Sequence, residues 1–170
     1  MKQLFYLIFV LFFVCCNSNK SSEKKYDENR VQFINNFIQN SDTSYNYPYD
    51  TKIFHIGKLI DELHLKSPNQ TGLIYVMNSE CSACIGKFLD FVFYLKQSKN
   101  KFPIVAIIEV GTKETLTYYI EQTKLNKEFD FYFYENIENK YIEGSLDNQN
   151  GKIFYIYKDR VINSFSYESF

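Results

Sequence analysis

Two cysteines separated by two residues stand in this chain where a strand pattern changes into a helix pattern. The strand pattern is the apolar run Leu73-Ile74-Tyr75-Val76-Met77, and Cys81 and Cys84 follow it. Apolar residues then recur at steps of three and four, which places them on one face of a helix with 3.6 residues per turn. These residues are Ile85, Phe88, Leu89, Val92 and Leu95. The sequence therefore predicts a buried strand over 71–77 and an amphipathic helix from Cys81 to about Gln97.

The start of a helix changes the chemistry of a cysteine placed there. Backbone N–H groups without helical partners and the positive end of the helix dipole favour a thiolate over a thiol. We expect Cys81 to be the more exposed, attacking sulfur, and Cys84, one turn further in, to be the more buried, resolving sulfur.

The cysteine pair has two other interpretations, a permanent structural disulfide and a metal site. Zinc requires four ligands, and the folded part of the sequence offers two thiols with His55 and His64 but no second Cys-x-x-Cys. A copper-chaperone role, in which two soft thiolates suffice, stays open. The sequence gives no indication of a bound cofactor, and we expect no resident metal.

Strand and helix patterns alternate through the rest of the chain. An apolar run over 103–110 is typical of a strand buried on both faces. A helix is predicted over 112–126, and its inward residues are Leu116, Tyr119, Ile120 and Thr123. Strands are predicted over 129–134, 151–157 and 161–167, with a polar loop over 135–150. The order implies β-α-β crossovers with a parallel sheet, to which the final hairpin adds antiparallel strands.

The segment before this core is predicted to be a helical extension. Its first helix is expected over 28–39, followed by a loop around Pro48. A short strand over 52–55 and a second helix over 56–65 complete the extension. We therefore predict one domain over 28–170, divided into an extension over 28–70 and a core over 71–167.

The N-terminus has the composition of an export signal. Lys2 precedes an uncharged stretch from Leu4 to Val14, which is well short of the ~20 residues of a membrane-spanning helix. Its end, at Cys15 and Cys16, resembles a bacterial lipoprotein signal. That resemblance implies a signal peptide over 1–15, lipidation of Cys16 and a flexible polar tether over 16–27. An ordinary cleaved signal and a short buried helix are the alternatives.

Charge excludes one class of partner. The formal net charge is −1 and no basic stripe occurs along the chain, so no electrostatic case exists for nucleic-acid binding. Export, in contrast, places the cysteine pair in a compartment where a disulfide can form and cycle.

The order of elements, with Cys-x-x-Cys at the start of the first core helix, resembles the thioredoxin superfamily over roughly residues 71–167. The long polar segment before the last hairpin resembles exported lipoproteins of the TlpA or peroxiredoxin-like type. The resemblance implies an α/β fold of three layers, α/β/α, with a mixed central sheet. It also implies a redox-active dithiol in which Cys81 is the nucleophile and Cys84 the resolving thiol. The expected partners are protein thiols or disulfides of the bacterial cell envelope, reached from a lipid anchor that faces the periplasm or the exterior.

Three positions depart from the pattern of that superfamily. Glu80 stands where many members have Trp, and its carboxylate opposes a thiolate at the next residue. Tyr75 stands where thioredoxin has a buried acidic residue, and Asn150-Gly151 stands near the place of its cis-proline. These departures favour an alternative function, a non-catalytic thioredoxin-like binding module with a structural or vestigial cysteine pair.

Two further residues are candidates for supporting roles. Lys87, on the predicted motif helix, is placed to steady a thiolate, although a solvated helix residue is the simpler interpretation. Glu109, at the end of a predicted buried strand, is a candidate proton shuttle because α/β folds place their sites at the carboxyl ends of strands.

Overall fold

The computed structural model describes residues 27–42, 71–78, 82–143, 146–158 and 160–170. Within these ranges the chain forms three α-helices and one five-stranded sheet. In chain order they are α1 (Glu28–Gln39), β1 (Thr71–Met77), α2 (Ser82–Gln97), β2 (Ile104–Ile108), α3 (Lys113–Gln122), β3 (Phe131–Glu135), β4 (Lys152–Tyr157) and β5 (Arg160–Ser166). Short 3₁₀ turns lie at Leu125–Lys127, Ile137–Asn139, Leu146–Gln149 and Tyr167–Ser169. None of the helices in the described ranges has the length and apolar character needed to cross a membrane.

Several sequence predictions fall outside the described residues. They are the signal peptide, the lipidation site Cys16, the tether over 16–26, the strand over 52–55, the helix over 56–65, and the side chains of His55, His64, Glu80 and Cys81. These stay predictions.

The sheet is mixed, as the alternating pattern predicted. Its strand order is β3-β2-β1-β4-β5, with β1, β2 and β3 parallel. The final hairpin contributes β4, antiparallel to β1, and β5, antiparallel to β4. The strand that precedes the cysteines therefore lies at the centre of the sheet, where it is buried along its whole length.

Alternate residues of β1 face two separate apolar cores. Leu73, Tyr75 and Met77 point toward the face covered by all three described helices. Since β1, β2 and β3 step in one direction across the sheet, crossovers of the usual right hand place α2 and α3 on the same face. The opposite face, with Ile74 and Val76, packs against Tyr141, Ile142 and Leu146, and the described parts of the segment over 137–149 include two 3₁₀ turns.

Helix α1 begins and ends where the periodicity predicted. Asp27 caps it by accepting a hydrogen bond from the backbone N–H of Asn29 at 3.0 Å. Val31 and Ile34 are buried in the same core as α2, so this first described part of the extension packs directly on the motif helix. The first helix therefore helps to hold the helix that carries Cys84.

The predicted limits of the third helix and third strand were wrong. Helix α3 ends at Gln122 rather than at 126, because Lys124 adopts a left-handed conformation (φ 58°) and a 3₁₀ turn follows it. Strand β3 starts at Phe131, since the N–H of Phe129 is bonded to the Leu125 carbonyl within that turn.

The predicted inward face of α3 was too wide. Leu116 and Ile120 are buried, one turn apart, as expected. Tyr119 is exposed, with its ring in an edge-to-face contact with another surface ring, and Thr123 is exposed as well. The buried stripe of this helix is therefore narrow, with Leu116 and Ile120 in the core on this face of the sheet.

Candidate functional site

The second half of the Cys-x-x-Cys motif opens helix α2. Strand β1 ends at Met77, helix α2 begins at Ser82, and Cys84 is its third residue. The predicted strand-to-helix context of the motif is therefore confirmed. Cys84 is buried, with 6% of its surface exposed; its role as the resolving thiol stays a prediction, and Cys81 lies outside the described residues.

The motif lies at the edge of the sheet where the parallel strands end. Met77 of β1 pairs with Ile108 of β2, so Glu109 follows β2 at this same edge. Glu109 is half-buried there. Sites of open α/β sheets form at the carboxyl ends of the strands, and the predicted candidate Glu109 is brought to that edge together with the motif.

Two exposed apolar side chains also lie at this edge. Val110 directly follows Glu109, and Ile137 follows the end of β3; more than half of each side chain is exposed. The two segments are joined because the N–H of Gly111 donates to the carboxylate of Glu135 at 2.8 Å.

Asn150, which precedes the final hairpin, contacts the buried cysteine. Its Nδ2 donates a hydrogen bond to Sγ of Cys84 at 3.4 Å. Its Oδ1 accepts a hydrogen bond from the backbone N–H of Asn78 at 3.1 Å. The resemblance to the thioredoxin superfamily places Asn150-Gly151 near the position of its cis-proline and implies no role for the Asn150 amide. Asn150 therefore joins the end of β1, the motif helix and the hairpin.

Tyr75 lies beneath the motif, buried in the core on the α2 side of the sheet. Its ring makes an edge-to-face contact with Phe88, with centroids 5.1 Å apart. Burial is the main cause that raises the pKa of Tyr75 far above its ordinary value, and the neighbouring Tyr167 and Cys84 raise it further. The phenol is therefore neutral at any physiological pH and cannot act as a base for the Cys84 thiol.

Lys87 is engaged by the C-terminal segment. Its ammonium forms an ion pair with Glu168 and lies 5.8 Å from the centre of the Tyr167 ring. Both charged side chains are well exposed, so the pair contributes little to stability. The contacts place Lys87 at the surface, which agrees with the simpler of its two interpretations.

A polar cluster of Asp90, Arg30 and Tyr167, which no sequence motif indicated, lies further along α2. Asp90 is buried, and its Oδ2 accepts hydrogen bonds from Arg30 Nη1 at 2.6 Å and from the Tyr167 hydroxyl at 2.7 Å. Asp90 lies outside the apolar stripe predicted for this helix, so periodicity gave no signal for it, and a carboxylate is buried there because it is paired. The cluster ties helix α1 and the C-terminal segment to the motif helix.

Metal ligands do not gather in the described part of the chain. No three side chains of His, Cys, Asp or Glu lie close enough together there to hold an ion.

Comparisons of the chain with protein-family models, with curated proteins and with solved structures found no match. The function of the protein is therefore inferred from its residues and their arrangement.

Proposed function

We propose that the protein is an exported, lipid-anchored thiol–disulfide oxidoreductase of the bacterial cell envelope. The observation that carries the proposal is the position of Cys84, which is buried in the first turn of a helix that directly follows the central strand. Such a position favours thiolate chemistry through the helix dipole and the backbone N–H groups of the first turn. Protein thiols or disulfides are the proposed substrates.

A thioredoxin-like architecture is part of the proposal. A central strand with a parallel neighbour on one side and an antiparallel hairpin on the other is compatible with that fold. The contact between Asn150 and Cys84 adds support, because the resemblance places the residues before the final hairpin beside the cysteine pair. In the three-layer arrangement proposed here, residues 137–149 contribute to the second outer layer.

The proposed reaction is a pair of thiol–disulfide exchanges. In the reducing direction, the Cys81 thiolate attacks one sulfur of a partner disulfide, and the other partner sulfur leaves and takes a proton from solvent. Cys84 loses its proton to solvent and attacks the Cys81 sulfur, which expels the second partner thiolate. The partner gains two electrons, and the protein is left with a Cys81–Cys84 disulfide. The reverse direction follows the same steps, and the reduction potential decides between them.

A second candidate function is a non-catalytic binding module with a structural or vestigial cysteine pair. The specific observation in its favour is the neutral, buried phenol of Tyr75 at the place where thioredoxin carries an acidic residue. Without a proton acceptor at this position, the second exchange loses the help that general-base catalysis gives, typically 10²-fold or more.

Redox titration separates the two functions. The full chain is equilibrated in glutathione buffers of stepped potential, and the state of Cys81 and Cys84 is read by alkylation and peptide mass spectrometry. An exchanging dithiol is expected to titrate between about −270 and −120 mV, the range of catalytic pairs. The single variants Cys81→Ser and Cys84→Ser control for disulfides with glutathione. A potential below about −300 mV indicates a permanent structural disulfide, and either that value or no disulfide at all would overturn the oxidoreductase.

The proposed lipid anchor predicts a change of cell fraction. Cys16→Ala is expected to release the protein from the membrane fraction, because the affinity of a lipid anchor comes from the CH₂ groups of its acyl chains, and none is then attached. Cys15→Ala is the matched control and should leave the protein in the membrane fraction. Immunoblots of membrane and soluble fractions measure both. Unchanged anchoring of the Cys16 variant would refute the assignment of this residue.

A further inference from the structure

The amide of Asn150 is held between the end of β1 and the buried cysteine. Its Oδ1 accepts a hydrogen bond from the backbone N–H of Asn78, and its Nδ2 donates a hydrogen bond to Sγ of Cys84. We propose that Asn150 is a positioning residue for Cys84, which orients the sulfur and stabilises its thiolate for the resolving step. The inference rests on the oxidoreductase function proposed above, in which Cys84 must attack Cys81 as a thiolate.

Gly151, the residue after Asn150, is held by two backbone hydrogen bonds. The N–H of Gly151 donates to the carbonyl of Val76 at 2.8 Å, and its carbonyl accepts from the N–H of Tyr167 at 2.7 Å. Gly151 has a φ of 76°, in the left-handed region that glycine adopts without strain. The amide is therefore held relative to β1 before any chemistry takes place.

The direction of the hydrogen bond determines its effect. A thiol is a weak acceptor, whereas a thiolate carries a full negative charge and accepts strongly. A donor that faces Sγ of Cys84 therefore stabilises the charged form more than the neutral form, which lowers the thiol pKa. Burial acts in the opposite direction, so a donor from Asn150 offsets part of the cost of charging a sulfur that is almost fully enclosed.

Among the described residues, the titratable groups around this part of the site are unchanged by substitution of Asn150. Tyr75 on β1 interacts electrostatically with Cys84, Tyr167 and Glu168 after β5 interact with Tyr75, and Lys87 lies on α2 itself. Tyr75 stays protonated, and Lys87 is paired with Glu168. An effect of Asn150 on the titration of Cys84 can therefore be measured against a constant background.

The test is the pH dependence of Cys84 alkylation in the full chain carrying Cys81→Ser, so that no disulfide forms within the motif. Iodoacetamide is the probe, and peptide mass spectrometry follows the Cys84 peptide alone. Asn150→Ala is expected to raise the midpoint of the rate profile by about one pH unit, the size expected for one long hydrogen bond to a charged acceptor. Below the midpoint, this shift corresponds to an approximately tenfold slower reaction.

Asn150→Asp provides a near-isosteric second variant. Its carboxylate can still accept from the Asn78 N–H but repels a thiolate, so the midpoint is expected to rise further than in the alanine variant. Asn148→Ala, at an exposed position two residues earlier, is the control and should leave the profile unchanged. Circular dichroism confirms folding of each variant.

Profiles that coincide for the parent, alanine and aspartate chains would overturn the role of Asn150. Because alkylation of the Cys81→Ser chain involves no redox cycle, that result would leave the oxidoreductase proposal standing. Conversely, suppose that the alkylation profile shifts but the cysteine pair does not titrate as an exchanging dithiol. Asn150 would then still stabilise the Cys84 thiolate, and the oxidoreductase function would be rejected.

Discussion

A Cys84→Ser variant is expected to accumulate in the cell envelope as mixed disulfides between Cys81 and partner proteins. The first exchange needs Cys81 alone, whereas release of the partner needs a second thiolate beside it. A well-oriented intramolecular group acts at an effective concentration on the order of 10⁵ M or more, far above any free thiol. Loss of the resolving thiol should therefore convert a transient intermediate into a stable adduct, seen as bands of higher mass on non-reducing gels.

The adducts count as trapped exchange intermediates only if their formation requires Cys81. The double variant Cys81→Ser, Cys84→Ser and the single variant Cys81→Ser are the matched controls, and both should be free of the adducts. The bands should disappear on reduction, and mass spectrometry of the released partners identifies the substrates. If the Cys84→Ser chain stays monomeric in an oxidising envelope, the pair does not exchange with proteins, and the binding-module function is favoured.

Periodicity sufficed for the elements that pack along their whole length. Helix α1 buries Val31 and Ile34 at helical spacing, and its predicted and observed limits coincide. Strand β1 is buried on both faces, and its continuous apolar sequence marked it without ambiguity. In both elements the side chains that make the pattern are the ones that make the core.

Periodicity failed where the backbone, rather than a side-chain pattern, ends an element. Lys124 takes a left-handed conformation that no apolar spacing signals, and this residue closes α3 early. Tyr119 has the size of a core residue, but 42% of it is exposed, and only Leu116 and Ile120 of this helix are buried. The tertiary position of a helix decides the width of its buried stripe.

The candidate site depended on contacts between residues that are distant in the sequence. The motif and its strand-to-helix context were readable from local order, but Asn150 reaches Cys84 from 66 positions away. That contact requires β4 to lie beside β1 and Gly151 to turn through positive φ, and neither condition is visible in a local pattern. The same holds for Arg30, which pairs with Asp90 across 60 positions.

The contacts around the motif also connect its chemistry with its packing. Cys84 and Phe88 are one helical turn apart on α2, and Phe88 packs against Tyr75 of the central strand. Any displacement of α2 from the sheet would therefore move Cys84 away from Asn150, whose own position is fixed by β1. The distance between Sγ of Cys84 and the Asn150 amide thus depends on the packing of the Phe88 ring, one helical turn along α2.

Phe88→Ala is expected to lower the free energy of unfolding by about 3–5 kcal/mol. Phe88 is fully buried, and its ring contacts Tyr75 at 5.1 Å and Phe131 at 6.2 Å between centroids. Truncation loses the transfer free energy of the ring, leaves a cavity, and removes aromatic contacts worth about 0.5–1.5 kcal/mol each. Against a typical total of about 5–15 kcal/mol this is a large fraction. Chemical denaturation followed by circular dichroism measures the loss.

Two matched variants separate the cavity from a general effect of substitution. Phe88→Leu keeps most of the apolar volume and should cost about 1.5 kcal/mol or less. Tyr118→Ala removes a ring of which 57% is exposed on α3, and its cost should stay within about 0.5 kcal/mol. A loss below about 1 kcal/mol for Phe88→Ala would mean that α2 does not pack on β1 through this ring, and the position assigned to Cys84 would then lose its structural basis.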